Sequence, residues 1–194
     1  MNRTATINRT TTETSISLTI NLDGEGTYDV VTGVGFFDHM LSHIAKHGSL
    51  DLTIHATGDL HVDEHHLVED VGICLGQGIV QALGNKRGIE RFAHAFVTMD
   101  EALARTVIDL SGRSYPVFLG TFTRESINGF STEMVKEFFR AVAQETRMNL
   151  HIAILYGDNA HHQAEAVFKS FGRALRQAVS RTGNDRIPST KGVL

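Results

Sequence analysis

The sequence His65-His66-Leu67-Val68-Glu69 returns later in the chain as His161-His162-Gln163-Ala164-Glu165, and this repeat indicates how the protein is built. At the same offset, four further pairs of residues are identical: Val71 and Val167, Gly76 and Gly172, Gln81 and Gln177, and Ala82 and Ala178. If the intervening loop is allowed two extra residues, Leu52 aligns with Leu150 and His39 with Glu137. Agreement at so many positions predicts an internal duplication.

The segments that lead into the first copy alternate between strand-like and helix-like patterns. Residues 14–22 alternate apolar and polar side chains, which predicts a strand with one buried face. Residues 36–47 carry apolar side chains at helical spacing and are followed by Gly48, a typical helix stop. A second strand over residues 50–54 and a second helix over residues 63–83 complete the pattern.

The second copy repeats that order. The periodicity predicts strands over residues 91–99, 103–110, 115–122 and 148–155, and helices over residues 132–145 and 161–180. We therefore predict an internally duplicated α+β fold, in which each of two similar halves is a mixed β-sheet backed by two helices. Residues 1–88 would form the first half and residues 89–194 the second, related by a pseudo-twofold axis and sharing one core.

Composition and charge exclude several functional classes. A hydrophobic content of 41% in 194 residues is enough for a real core. Cys74 is the only cysteine, which rules out an intramolecular disulfide and predicts a reducing, cytoplasmic setting. The apolar runs are far shorter than the ~20 residues that cross a bilayer, so we expect no membrane role. The formal charge of -4, with scattered cations, lacks the electrostatic footprint of a nucleic-acid-binding protein.

The repeated motif predicts metal binding. On a helix, His65 and Glu69 are one turn apart and share a face, whereas His66 points about 100° away. Two imidazoles and a carboxylate at a helix start could bridge two metals or contribute to two separate sites. One such pair could equally be a solvated helix start, but the recurrence of both histidines and the glutamate at the same spacing favours a metal site.

Further histidines lie on the helix over residues 36–47. His39, His43 and His47 follow one another at successive turns and line one face. We interpret His43 as part of a solvated face, whereas His39 aligns with Glu137, another residue able to bind metal. Four donors for each of two metals leave open positions if the preferred geometry is octahedral, and open positions suggest catalysis. The absence of thiolates suits Mn, Fe, Co, Ni or Zn. The eight donors are His39, His65, His66, Glu69, Glu137, His161, His162 and Glu165.

Beyond the duplication, ordered motifs over nearly the whole chain resemble the imidazoleglycerol-phosphate dehydratase family. They are GFFDHML at residues 35–41, GDLHVDEHH at 58–66 with Glu69-Asp70, MDEA at 99–102, DLSGR at 109–113, HHxxEA at 161–166 and PSTKGV at 188–193. No role is assigned to Asp100 and Glu101 within MDEA.

The resemblance implies a metal-dependent carbon-oxygen lyase that dehydrates imidazole glycerol phosphate to imidazole acetol phosphate in L-histidine biosynthesis. It implies two Mn2+ ions per subunit, held by the eight donors above. Glu137 stands where we expect histidine in the family, and we retain it as a ligand because a carboxylate can bind Mn. The alternative is that one site is weaker or that water fills this position. The resemblance also implies a homo-24-mer with cubic symmetry and with active sites at subunit interfaces.

The same resemblance implies which residues contact the substrate. Glu13 corresponds to a substrate-contacting acid or base, and His39 and His47 also face the substrate. The phosphate would be held by Arg91 and Arg113 with the C-terminal tail residues Ser189, Thr190 and Lys191, where Thr190 replaces an expected serine. As a mechanism, we hypothesise that a metal-bound imidazolate expels the neighbouring hydroxyl through a diazafulvene-like intermediate. Glu13, or else Glu69 or Glu165, would transfer the proton.

Two other functions stay open at this stage. A dinuclear metal hydrolase acting on phosphate esters would also combine paired cations with cationic side chains. Alternatively, the metals could be structural in a non-catalytic assembly protein, in which case their coordination would be closed.

Overall fold

The first half of the chain forms a four-stranded mixed sheet and two helices. The computed structural model describes residues 3–192, so Val193 of the C-terminal motif lies outside the described residues. The elements of this half are β1 (Thr4–Thr10), β2 (Thr14–Asn21), β3 (Tyr28–Val31), α1 (Gly35–Gly48), β4 (Asp51–Gly58) and α2 (His65–Leu83). The strand order is β1-β2-β4-β3, and only β3 runs parallel to its neighbour.

The second half has the same topology. Its elements are β5 (Phe92–Met99), β6 (Ala102–Asp109), β7 (Tyr115–Leu119), the short pair β8 (Ser126–Ile127) and β9 (Phe130–Ser131), α3 (Glu133–Thr146), β10 (Asn149–Tyr156) and α4 (Ala160–Val179). The main sheet has the order β5-β6-β10-β7, with β7 parallel to β10. The predicted α+β fold with two similar halves and mixed sheets is confirmed. The boundary at residue 88 stays a prediction.

The helices form the middle of the molecule, and they pair across the two halves. Helix α1 packs on α4 and α2 packs on α3, while each sheet covers the helices of its own half. Strand β2 turns Ile16, Leu18 and Ile20 inward and leaves small polar residues outside. Each such aliphatic side chain contributes about 1.5–3 kcal/mol on burial. The buried residues of both halves form one contiguous core, as the duplication predicts.

Two glycines that the repeat aligns lie where these helices cross. A Cβ atom on Gly76 of α2 would lie 2.5 Å from the Cβ of Glu145 on α3. One on Gly172 of α4 would lie 2.8 Å from the carbonyl oxygen of Ile44 on α1. Both crossings therefore need a residue without a side chain, which explains why glycine occurs in both copies.

Strands β1 and β3 are not foreseen by the periodicity. Both lie at sheet edges, and β1 buries only Ala5 fully, so the alternation of apolar residues is weak there. Strand β3 is only four residues long, and its sequence Tyr28-Asp29-Val30-Val31 does not alternate strictly between apolar and polar residues. Within residues 3–192, no helix combines the length and apolar character needed to cross a membrane.

Candidate metal centre

The contact between α1 and α4 assembles three imidazoles around one carboxylate. Oε1 of Glu165 lies 2.9 Å from Nε2 of His39 and 3.0 Å from Nε2 of His161. Nε2 of His43 is 3.3 Å from Nε2 of His39, and ligand atoms of His39, His43 and Glu165 all lie within 4.8 Å of one another. Three imidazole nitrogens and a carboxylate oxygen suit a divalent transition metal. We call these four residues the first cluster.

The protonation states in the first cluster suit coordination. Burial raises the pKa of the Glu165 carboxyl, but hydrogen bonds from Lys169, His39 and His161 outweigh it and hold that pKa well below its usual range. Burial lowers the pKa of His43 to about 4. At neutral pH, Glu165 is therefore an anion and His43 a neutral imidazole, the forms in which these side chains bind metal.

His43 is therefore not part of a solvated face, and that interpretation is wrong. Its side chain is only 14% exposed, because α4 packs against this side of α1. The spacing of one turn from His39 was the signal in the sequence that could have placed it in the cluster. The repeat gave no support, because the residue aligned with His43 is Ala141.

A short polar side chain just before each histidine pair accepts a hydrogen bond from the amide of the first histidine. Oδ1 of Asn159 accepts a 2.9 Å hydrogen bond from the amide of His161, and Oδ1 of Asp63 accepts a 2.8 Å bond from the amide of His65. Asp63 and Asn159 occupy equivalent places in the repeat. Because these hydrogen bonds hold the start of each helix, they help to fix the directions in which the two adjacent imidazoles point.

The second histidine of each pair points away from its neighbour and is held by a carboxylate. Nδ1 of His66 lies 3.0 Å from Oδ2 of Asp59, and Nδ1 of His162 lies 2.7 Å from Oε2 of Glu101. A carboxylate on Nδ1 sets the tautomer and leaves Nε2 free for another ligand. These hydrogen bonds also raise the pKa of both imidazoles.

A further carboxylate faces Nε2 of each of these histidines. Oε1 of Glu13 lies 3.9 Å from Nε2 of His66, and Oδ2 of Asp100 lies 3.8 Å from Nε2 of His162. Glu13 lies in the turn between β1 and β2, and Asp100 lies in the corresponding turn between β5 and β6. The duplication thus places equivalent acidic turns beside equivalent histidines. The sequence analysis assigned no role to Asp100 and Glu101. The signal that could have placed them at the site is their position just before a predicted strand, which is also the position of Glu13.

The contact between α2 and α3 forms a second cluster, and an arginine lies in it. Nε2 of His65 is 3.9 Å from Oε2 of Glu69. Arg140 donates from Nη2 to Oε1 of Glu69 at 2.9 Å and from Nε to Oε2 of Glu137 at 2.6 Å. Glu137 therefore lies near Glu69. The repeat relates this contact to the one between His39 and Glu165, which align with Glu137 and Glu69. The carboxylate of Glu137 is already paired with the guanidinium of Arg140. The repeat does not predict this ion pair, because the residue aligned with Arg140 is Ser42.

The residues expected to hold a phosphate are only partly brought together. Arg91 binds Asp109 through two nitrogens, at 2.7 and 3.3 Å, and donates from Nη1 to the carbonyl oxygen of Pro188 at 2.6 Å. The carbonyl contact fixes the start of the tail, and Oγ of Ser189 accepts a 3.2 Å bond from the amide of Lys191. The residues Arg113, Thr190 and Lys191 are exposed.

His47 continues the row of histidines on α1. Its ring centroid is 5.5 Å from that of His43. Burial lowers the pKa of His47, and nearby cations lower it further. The imidazole borders a cavity of about 550 Å³, which is also lined by Arg173, Arg176 and His94.

Comparison with known proteins identifies the family to which this architecture belongs. The model of the imidazoleglycerol-phosphate dehydratase family matches residues 32–175, a stretch that contains helices α1 to α3 and most of α4. The chain belongs to this family.

Relatives of this dehydratase family match over nearly their full length. The imidazoleglycerol-phosphate dehydratase of Hydrogenovibrio crunogenus is 56% identical over 194 residues, covering 99% of this chain and 100% of the relative. That of Lacticaseibacillus casei is 55% identical over 193 residues, with the same coverage. The crystal structure of the Staphylococcus aureus dehydratase superposes with a TM-score of 0.84 at 39% identity, covering 92% of this chain and 99% of that chain.

Proposed function

We propose that the chain dehydrates imidazole glycerol phosphate to imidazole acetol phosphate in L-histidine biosynthesis. The observation that carries the proposal is the duplicated histidine-rich helix start, whose second copy meets His39 and His43 around the buried Glu165. Family membership supplies the substrate, because the relatives are named for it.

We propose that the chain holds two divalent metal ions and that they are Mn2+. The ligands would be His39, His65, His66, Glu69, Glu137, His161, His162 and Glu165, and the geometry of the first cluster adds His43 as a further donor. When bound, the two cations would stabilise negative charge on the imidazole ring of the substrate.

The chain's own residues would bind the substrate and move its protons. Glu13 has its carboxylate half exposed beside His66, so it can reach a substrate and take up the side-chain proton next to the departing hydroxyl. Glu69 and Glu165 are the alternative carboxylates. Arg91, Arg113, Ser189, Thr190 and Lys191 would hold the phosphate, and His47 would border the substrate. Because Glu13 and Lys191 are exposed, we further propose that neighbouring subunits complete the site in a homo-24-mer.

The direct test is to incubate Mn-loaded protein with imidazole glycerol phosphate and to measure the ketone and inorganic phosphate. We expect one ketone per substrate consumed and no phosphate release. Release of phosphate without ketone would indicate a phosphate-ester hydrolase instead. Absence of any turnover by fully metal-loaded protein would indicate that the metals are structural.

Removing a cation from the phosphate-binding set is expected to weaken substrate binding. Lys191→Ala or Arg113→Ala should raise KM by roughly 10- to 150-fold, because a charge-assisted hydrogen bond contributes about 1.5–3 kcal/mol. Steady-state kinetics on each variant would measure this effect, with the exposed Lys136→Ala on the outside of α3 as the control. An unchanged KM in both variants would count against this phosphate site.

Replacing Glu137 tests whether it binds metal despite its ion pair with Arg140. Glu137→Ala should lose metal from one of the two sites, and Glu137→His should recover much of it, because imidazole restores a donor. Metal content per chain, measured by elemental analysis, reports both results. Arg140→Ala is the control: it breaks the same ion pair but keeps the carboxylate, so it should retain metal. Full occupancy in Glu137→Ala would remove Glu137 from the ligands.

A further inference from the structure

A buried network joins the start of β2 to the first turns of α2. Asp70 follows the proposed ligand Glu69 and is 7% exposed. Oδ2 of Asp70 accepts a 2.6 Å hydrogen bond from Oγ1 of Thr14, which is 4% exposed, and its Oδ1 accepts a 3.0 Å bond from Nε of Arg9. A buried carboxylate is stable only with such partners. The network therefore fastens both strands of the β1–β2 hairpin to the helix.

Glu13 immediately precedes Thr14, and its own backbone is held on both sides. Oγ1 of Thr11 accepts hydrogen bonds from the amides of Glu13 and Thr14, at 3.1 and 3.0 Å. The amide of Asp59 donates to the carbonyl oxygen of Glu13 at 3.1 Å. The backbone of Glu13 is thus fixed while its carboxylate remains half exposed beside His66.

The second half of the chain acts as an internal control for Asp70. The aligned residue there is Ala166, so helix and sheet pack in this topology without a carboxylate at this position. The corresponding turn is fastened differently, because Oε1 of Glu101 accepts hydrogen bonds from the amides of Asn159 and Asp158, at 2.8 and 3.2 Å. The fold itself does not require Asp70, which indicates a role specific to the turn that carries Glu13.

We propose that Asp70 and Thr14 are positioning residues that hold Glu13 at a fixed distance from the histidines of α2. The proposal rests on the proton-transfer role of Glu13 given above. Neither residue contacts the substrate. They affect turnover only by setting the position of the Glu13 carboxylate. A displacement of about 1 Å in a catalytic group can lower the rate about 10²-fold.

Thr14→Val tests the proposal because it removes Oγ1 and preserves the shape of the side chain. We expect kcat to fall by about 10²-fold, with KM and metal content nearly unchanged. Hydrogen-deuterium exchange of the amides in residues 11–14 should become faster. In a Glu13→Gln background, Thr14→Val should lower kcat by less than about two-fold, since residues that act through one another are not additive. Asp70→Asn should show the same coupling.

Thr106→Val is the matched control. It removes a buried 2.7 Å hydrogen bond between Thr106 of β6 and Ser170 of α4, which likewise joins a strand to a helix. We expect a similar fall in Tm but a kcat within about two-fold of the unaltered protein. An unchanged kcat in Thr14→Val, or an equal loss with and without Glu13, would overturn the positioning role alone. Normal turnover by Glu13→Gln would instead reject the role of Glu13 and the positioning role with it.

Discussion

Glu13→Gln is expected to lower kcat by roughly 10²–10⁴-fold while metal content and assembly stay unchanged. Glutamine keeps the size and hydrogen-bonding shape of glutamate but cannot take up the proton. The contacts that fix residue 13 come from its backbone, so the substitution leaves the turn in place. The effect should therefore fall on the chemical step rather than on folding.

The measurement for Glu13 combines turnover with elemental analysis and particle mass. Glu25→Gln, an exposed glutamate in the loop between β2 and β3, is the matched control and should turn over normally. A Glu13→Gln enzyme with near-normal kcat would leave the proton transfer to Glu69, Glu165 or His47. Loss of metal in the same variant would indicate that Glu13 contributes to a metal site instead.

Exhaustive chelation is expected to abolish turnover and to lower the size of the particle. The first cluster joins α1 to α4, and the second joins α2 to α3, so the metals would anchor ligands from both halves. Binding free energy of such ions is shared with folding and assembly, which makes both depend on the metal. Light scattering and turnover before and after chelation measure the two effects. Readdition of Mn2+ should restore both, and an unchanged mass and rate in metal-free protein would contradict the proposal.

The sequence predicts the buried elements of this fold well and misses the edge strands β1 and β3. Helices α1 to α4 and strands β2, β4, β6 and β10 bury a regular stripe of apolar side chains, and that stripe is what a periodicity measures. Strands β1 and β3 are edge strands with one covered face and few apolar residues, so their position depends on hydrogen bonds to a neighbour. Such pairing with a neighbouring strand cannot be recognised from the local pattern of residues.

The residues of the candidate site are likewise predictable only in part. The duplication predicts residues that exist in both copies, such as the pair His65 and His161. It cannot predict residues that exist in only one copy, such as His43 and Arg140, whose roles arise where helices from different halves meet. The carboxylates behind His66 and His162 come from different turns, Asp59 after β4 and Glu101 before β6, so no alignment of the repeats connects them.

The crossed pairing of the helices has a consequence for the origin of the molecule. Since α1 packs on α4 and α2 packs on α3, the two halves contact each other through equivalent surfaces. Such an isologous contact is the kind that two identical chains form in a dimer. Fusion into one chain makes that encounter intramolecular and raises its effective concentration. It also lets the two copies differ, so that one holds Asp70 where the other holds Ala166, without loss of the common core.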